Sequence, residues 1–573
     1  MLLDSYIGNS PASVSILTPV MNSEAYTASD GQTAINIINP YTPGTNSVLL
    51  FINGVKMVVG VDYTETNSTL LTMTYGLGVG DQIQIITGVQ LNNIYGSGAL
   101  VTYTPAGGTA VASNVQSKLR ELISVKDFGA LGDGVTNDTT AIQNAISYLV
   151  SVGGGILYFP TGQYRCNTNL SVTGSNIRLL GAGRGASRIN FYSTSGTCLD
   201  FSGAIGLCGL EDIALYTINA TSGKLVAANN ITRFLVQGVL LNGAPAGSNL
   251  ANTLLDIVGA NAVIVNSIFY GATTLGIGLT NGSNYFLHNV DVDMNGITGA
   301  ALSITTSTVS TIVSSSIFRK GNFSVITGTS TCTFIGTHFD QPLAAMQVNS
   351  CFGVYFTAGS KFSNSGGAGL SVSTSSQVTI DNCQVFKNAL DGIIFNNGCS
   401  EFSVKNCLID GNNTGNTASR AGLNIFATCN NFSITGNRIG NITGSYNGHQ
   451  KHGIFIQPGT SDHYIISDNN VLNNETTGIT DSGTGINAKI RGNDGYNPVG
   501  ISSVTVPAST VSYRAGHNSE TLYIRGGTVT AIKIPDNTGQ TIFTSTPCTV
   551  HLDPGETMSI TYSVVPTVFK HVH

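Results

Sequence analysis

Between Leu241 and Val471 the chain repeats a two-strand unit. Each copy is an apolar strand, then Asn, Ser or Gly, then a second short strand: VTIDNCQVFKN, FSVKNCLIDGN, FSITGNRIGN, YIISDNNVLNN. The central apolar residue of the second strand is an anchor. The anchors are Val292, Phe318, Phe339, Phe362, Val385, Ile409, Ile439 and Val471, preceded by weaker ones at Leu241 and Ile268. They lie 21 to 32 residues apart, and the two longest gaps hold the insertions GNNTGNTASR and GNITGSYNGHQK. A period in the low twenties, built of short strands and turns without a helix, specifies a stacked β-solenoid. One coil cannot bury its own apolar side chains, but a stack of coils shares a continuous core. The LxxLxLxxN signature of leucine-rich repeats is absent. Asn382, Asn406, Asn437 and Asn469 fall at turns, where Asn tolerates a left-handed backbone and can ladder with its counterparts in neighbouring coils.

Composition narrows the reading. Charged residues make up 9% of the 573, against roughly 25% in ordinary soluble domains. That argues against a helical bundle or coiled coil, and a net charge of -6 is too small for a disordered chain. A mildly acidic chain lacks the basic field that binds nucleic acid. No apolar run approaches the length of a membrane span, and MLLDSYIGNS lacks the basic-then-apolar pattern of a signal peptide. The ten cysteines have no CxxC or Cys/His ligand spacing and sit within apolar strands. They read as buried, reduced, small hydrophobes rather than as a disulfide framework. No cofactor or metal is called for.

Four regions follow. Residues 1–98 read as a small β domain after an irregular lead-in (1–21), with a hairpin at Asn53-Gly54. Residues 99–123 read as a linker and short neck helix. In residues 124–498, Asp138 is placed to N-cap a helix carrying Ala141, Ile142, Ala145, Ile146 and Leu149 on one face. That helix would cover the open first coil of the solenoid, because an exposed edge invites aggregation. Residues 499–573 switch to longer alternating strands and read as a β-sandwich.

The segments SVKDFGALGDGVTNDTTAIQNAI and GGGILYFPTGQY resemble the opening of the pectate-lyase-like right-handed parallel β-helix. Polysaccharide-degrading enzymes and bacteriophage tailspikes share that opening. NVQSKLRELISVKDFGA, GYNPVG and LDPGETMSITYSVVPT resemble the tailspike branch, and FINGVKMVVGVDYT resembles tail-fibre attachment domains. The ending PTVFKHVH departs from the aromatic-rich tail of many relatives. The resemblance implies an all-β homotrimer on the virion, attached to the phage tail or baseplate through its N-terminal domain. It implies an extracellular depolymerase that binds and cleaves host capsule or O-antigen polysaccharide, with no nucleic-acid partner and no membrane insertion. It brings no catalytic residue with it, because the family's catalytic residues vary in position.

Alternation along the strands supplies candidates instead, since the residues flanking an inward anchor point outward. The column before the anchors reads Asp291, Ile317, His338, Lys361, Gln384, Leu408, Arg438, Asn470. The column after reads Asp293, Arg319, Asp340, Ser363, Phe386, Asp410, Gly440, Leu472. Asp291, Asp293, Arg319, His338, Asp340 and Lys361 thus form a charged cluster on four consecutive coils. With coils about 4.8 Å apart, Asp293 and Asp340 are separated by about 9.6 Å at the backbone. Inverting glycosidases hold their carboxyls roughly 6.5–9.5 Å apart. Asp340 or Asp291 is the expected acid and Asp293 the expected base, with Arg319 keeping its neighbour ionised. Tyr270, Tyr285 and Tyr355 are candidates for stacking on sugars in a chain without Trp. Asp410 and Arg438 border the insertions and are candidates for lining a groove. Glu401, at a coil corner, ranks lower, and His449 and His452 lack a third ligand at metal spacing. A charge ladder that only solubilises the rod is the competing reading. The rival functions are a hydrolase, a lyase in which His338, Arg319 or Lys361 takes the proton beside a uronate carboxylate, and a non-catalytic adhesin.

Overall fold

The computed structural model describes residues 21–88, 101–105, 109–202, 206–219, 221–244, 251–296, 299–306, 310–321, 323–328, 331–441, 448–536 and 538–573. The lead-in up to residue 20, the end of the first β domain and the core of the second insertion (442–447) lie outside the described residues. The chain divides into two compact units, residues 1–120 and 121–573.

In the first unit, strands from Asn22–Thr27 to Gln82–Thr87 form a four-stranded and a three-stranded sheet. Ile35, Leu50, Leu71 and Ile85 form its core. Ile52 pairs with Val55 across Asn53-Gly54. Both turn residues have positive φ, 51° and 79°, as a two-residue hairpin with the twist of its strands requires. A short helix follows at Val115–Leu119.

The second unit is dominated by a parallel β-helix. Its coils contribute strands to three parallel sheets of 15, 13 and 13 strands among the described residues. The first sheet runs from Ile123–Ser124 to Ala488–Arg491, the second from Asp133–Asn137 to Arg438–Gly440, and the third from Leu170–Ser171 to Thr477–Gly483. The anchors lie in the second sheet in unbroken register: Leu241, Phe269, Val292, Phe318, Phe339, Phe362, Val385, Ile409 and Ile439. All are buried in one continuous core. The weak anchor at Ile268 is off by one residue. Phe269 points inward, and Ile268 pairs with Asp291 in the outward column. In IFY the two flanking residues are as apolar as the anchor, so hydrophobicity alone could not set the phase. The aromatic anchors stack along the axis, Phe318 on Phe339 and Phe339 on Phe362, each with centroids 5.5 Å apart.

The turn asparagines fall into two kinds. Asn382 and Asn406 adopt the left-handed backbone, with φ near 53° and 54°. Asn437 and Asn469 sit one residue further on and point inward, where they form the ladder. The Asn437 amide donates to Asn469 Oδ1 at 2.9 Å, and the Asn469 amide to Asn493 Oδ1 at 2.9 Å. Ser316 and Ser360 fill the same inward turn position in earlier coils, each hydroxyl accepting from a backbone N–H of the coil before. All ten cysteines are free thiols, nine of them buried.

The helix Thr139–Ser151 buries Ile142, Ala145, Ile146 and Leu149 against the first coil. Gln143 shows how the open edge is closed. Its side-chain amide donates to Ser171 O at 2.9 Å and accepts from Ser171 N at 3.0 Å, pairing with the edge strand of the third sheet as a further strand would. Asp138 occupies the N-cap position but makes no cap hydrogen bond. Its buried carboxylate accepts from Leu131 N at 2.7 Å and Gly132 N at 3.2 Å, and Asn137 Oδ1 accepts from Thr139 N instead. The preceding GALGD loop presents two N–H groups with no strand partner and captures the carboxylate first.

At the far end, two four-stranded antiparallel sheets enclose Leu522, Ile524, Ile532, Leu552 and Met558 as a sandwich. It docks on the last coils through His517. His517 Nδ1 lies 2.5 Å from Asp481, Tyr464 donates to the same carboxylate at 2.7 Å, and His517 Nε2 meets Gly485 O at 2.9 Å.

Candidate functional site

The second sheet carries the charged cluster, and its strands are short (Asp291–Asp293, Ile317–Arg319, His338–Asp340, Lys361–Ser363). In each, the central residue is buried and the two flanking residues face outward. Ser363 is the exception, outward but covered. Strand pairing puts Asp291, Ile317, His338 and Lys361 in one column, and Tyr270, Asp293, Arg319, Asp340 and Ser363 in the next. Coils that register across more than twenty residues of chain bring these side chains within contact distance.

Arg319 is the hub. Its Nη2 lies 2.5 Å from Asp291 Oδ2, its Nε 3.3 Å from Asp291 Oδ1, and the same Nε 3.9 Å from Asp293 Oδ2. The hydrogen bond to Asp291, with the charges of Asp291, Asp293 and Asp340, raises the guanidinium pKa further despite partial burial. Lys320, at a left-handed turn position (φ 56°), reaches back to Asp293 Oδ2 at 3.2 Å. Asp293 Oδ1 also accepts from Asn295 N at 2.8 Å. Two cations and a backbone N–H therefore surround the Asp293 carboxyl group. Asp340 has different company. Ser363 Oγ donates to its Oδ1 at 2.7 Å and Asn364 Nδ2 to the same oxygen at 2.7 Å. His338 Nε2 lies 2.8 Å from Ser363 Oγ and 3.8 Å from Asp340 Oδ1. Burial lowers the His338 pKa, and Lys361 and Arg319 push it the same way against Asp340. The imidazole is therefore neutral at pH 7.

The expected residues do not all converge. Asp291, Asp293, Arg319, His338, Asp340, Lys361 and Tyr270 share one face. Tyr355 lies in the first sheet, between Thr333 and Thr379. Tyr285 also lies in the first sheet but faces inward at 2% exposure, its hydroxyl accepting from Gly282 N. A sugar needs an open ring face, which Tyr285 lacks. In NYFLH the inward residues are Tyr285 and Leu287, and Phe286 is the exposed ring. Asp410 keeps its column but is 1% exposed, so it lines no open groove. Arg438 is exposed in the first column. Glu401 sits at a left-handed corner and accepts from Gln377. His449 pairs with Glu475 at 2.7 Å, and His452 with Thr477 at 3.0 Å. No group of three His, Cys, Asp or Glu side chains among the described residues has metal-holding geometry.

Lys320 and Asn364 were missed by the column reading, and Ser363 stood in a column without being singled out. Lys320 and Asn364 are turn residues, each following the last strand residue of its coil. Their reach depends on the left-handed backbone that folds them back over the preceding coil.

Comparison with known proteins agrees with this architecture. The chain matches the family described as "Rhamnogalacturonase A/epimerase, pectate lyase-like" over residues 122–417. Mannuronan C5-epimerase AlgE2 of Azotobacter vinelandii is 48% identical over 69 residues, 11% of this chain and 7% of that protein. Depolymerase 1, capsule KN3-specific, of Klebsiella phage KN3-1 is 34% identical over 136 residues, 23% of this chain and 17% of that protein. The matched segments are thus small fractions of these relatives. Among solved structures, tailspike protein 3 of bacteriophage CBA120 superposes with a TM-score of 0.54 at 13% identity, covering 76% of this chain and 74% of that one. Through the matched segment, which carries most of the solenoid and the whole charged cluster, the chain belongs to the pectate-lyase-like rhamnogalacturonase A/epimerase family.

Proposed function

We propose that this chain is a phage tailspike that binds and depolymerises a bacterial surface polysaccharide, capsule or O-antigen, at the Asp293–Arg319–Asp340 face. In this reading it acts outside the host cell as a homotrimer held to the virion tail by its N-terminal domain. The capsule-specific depolymerase among its relatives supports the substrate class. The observation that carries the site is the register that puts Asp293 and Asp340 two coils apart in one outward column with Arg319 between them.

The chemistry we assign is hydrolysis with two carboxylates. A spacing of about 9.6 Å at the backbone is close to the roughly 6.5–9.5 Å that leaves room for a water between substrate and base. Asp293, positioned by Lys320 and Arg319, takes the proton of that water as it attacks the anomeric carbon. Asp340 gives a proton to the departing glycosidic oxygen. Its two hydrogen bonds both end on Oδ1, so Oδ2 is the oxygen to carry that proton. Asp291 serves as a positioning residue, because a carboxylate gripped by a guanidinium on both oxygens is a poor proton donor.

One observation favours elimination as the second reading: a neutral His338 beside Lys361 and Arg319. A neutral imidazole can remove the proton next to a uronate carboxylate while the cations hold that carboxylate. Product analysis separates the readings. Hydrolysis yields new reducing ends without near-ultraviolet absorbance, and elimination yields an unsaturated, absorbing end. Full cleavage by both Asp293→Asn and Asp340→Asn, in chains that fold normally, would remove the cluster from the mechanism. Tight binding with no change in polymer length would leave an adhesin.

A further inference from the structure

The geometry points to Ser363 as a positioning residue that holds His338 in its Nε2–H form, so that Nδ1 is left as the hydrogen-bond acceptor for a sugar hydroxyl. This inference rests on the reading above that the Asp293–Arg319–Asp340 face handles a polysaccharide. It gives His338 a part in substrate binding that neither carboxylate has.

His338 and Asp340 flank the buried anchor Phe339 on one strand. Register sets Ser363 beside Asp340 on the next coil, and Lys361 beside His338. Ser363 is 1% exposed, so its partners come from the protein. A serine hydroxyl has one proton to give and lone pairs with which to accept. That proton goes to Asp340 Oδ1 at 2.7 Å. Asp340 Oδ1 also accepts from Asn364 Nδ2 at 2.7 Å, which leaves Oδ2 as the oxygen to carry any proton. Ser363 Oγ therefore faces His338 with a lone pair, and the 2.8 Å contact requires Nε2 to bring the hydrogen. An unprotonated Nε2 would set two lone pairs against each other at that distance.

The same bond decides the state of the other ring nitrogen. A neutral imidazole carries one N–H, and the partner of one nitrogen selects the tautomer. With Nε2–H directed at Ser363, Nδ1 bears the lone pair. Burial keeps this ring neutral, with Lys361 and Arg319 acting the same way and Asp340 opposing them. Nδ1 has no hydrogen-bond partner among the described residues, and the His338 side chain is 28% exposed. Lys361, its neighbour in the outward column, can only donate. The two offer an acceptor and a donor on adjacent coils, about 4.8 Å apart at the backbone. A hydroxyl group both gives and takes a hydrogen bond, so this pair suits a sugar hydroxyl beside the Asp340 carboxyl.

Nitrogen-15 solid-state NMR of the full chain, grown with histidine labelled at Nδ1 alone, reads the tautomer directly and needs no substrate. Subtracting the spectrum of His338→Gln isolates the His338 signal. At neutral pH the expected signal is that of an unprotonated nitrogen. Ser363→Ala should add a protonated Nδ1 fraction, and Ser363→Thr, which keeps the hydroxyl, should remove it. Kinetics on the polymer that the wild-type chain cleaves form the second arm. An asparagine sets an amide oxygen near the place of Nδ1, and a glutamine sets an amide nitrogen near the place of Nε2. KM should rise about tenfold in His338→Gln, the equivalent of one lost hydrogen bond, and by less in His338→Asn, with kcat little changed in both. A protonated Nδ1 in the wild-type chain overturns the inference, as does a Ser363→Ala signal identical to wild type. His338→Asn impaired as much as His338→Gln overturns it too, and so does a kcat that collapses in both, which marks a base rather than an acceptor. Circular dichroism and thermal melts verify that the variants fold. Failure of the catalytic reading shows separately, as undiminished cleavage in the Asp293 and Asp340 variants while the Nδ1 signal stays as expected.

Discussion

Replacing Asn469 by Ala should unlock one end of the solenoid while leaving the other intact. Asn469 is 1% exposed, and its side chain makes four hydrogen bonds. Oδ1 accepts from Asn437 N at 3.0 Å and from Asn437 Nδ2 at 2.9 Å, and Nδ2 donates to Ile434 O at 2.9 Å and Asn493 Oδ1 at 2.9 Å. Two of the partners keep another bond, since Asn437 Nδ2 still reaches Val404 O and Asn493 Oδ1 still accepts from Asn469 N. The Asn437 N–H and the Ile434 carbonyl lose their side-chain partner. At about 1–3 kcal/mol for each buried polar group so stranded, the cost is about 2–6 kcal/mol. Ser should cost less, because at Ser360 a hydroxyl accepts from Thr337 N and donates to Thr357 O in the equivalent turn. In a stack where each coil touches only its neighbours, the damage stays local. Hydrogen exchange should therefore lose roughly a hundredfold or more of its protection in strands Asn430–Thr435, Asp462–Ser467 and Ala488–Arg491. Strands Arg233–Gln237 and Asn261–Val265 should be unchanged. A cost below about 1 kcal/mol, or equal loss at both ends, would refute the ladder as a stabilising element.

Other outcomes follow from the same coordinates. Asp293→Asn should lower polymer cleavage by about 10²–10⁴-fold with an unchanged melting profile, the range for a lost general base; Lys320→Ala should lower cleavage by less, because it removes one of the two cations that position the Asp293 side chain. The Asp481 carboxylate raises the His517 pKa above its ordinary 6.5, against burial and aided by Gly485 O and Asp462. Its contribution to docking the sandwich is therefore complete below about pH 6.5 and is lost as pH rises through the folded value. Exchange at the junction should accelerate on the alkaline side, and His517→Asn should flatten that dependence. Of the ten thiols, only Cys548 should react with a maleimide in the native state, slowly because burial raises its pKa too.

The sequence by itself determined the coil. Period, alternation and turn residues act within a few positions of each other, so VTIDNCQVF contains its own inward and outward faces. That is why the columns from Asp291 to Arg438 and from Asp293 to Gly440 could be read before any coordinates. The reading slipped where local signals were balanced. Ile268 and Phe269 are both apolar, so the phase stayed open until stacking on Leu241 and Val292 fixed it. Tyr285 and Tyr355 have strand alternation like that of Tyr270, but which of three sheets a strand joins depends on how the chain bends between strands. Only the tertiary structure decided which charges touch. Arg319 takes Asp291 on both oxygens, Lys320 folds back to Asp293, and Ser363 stands between His338 and Asp340, all across gaps of 23 to 28 residues. Those contacts depend on rotamers and left-handed turns whose energies are set by the neighbouring coil, and a single coil's residues carry no record of that neighbour.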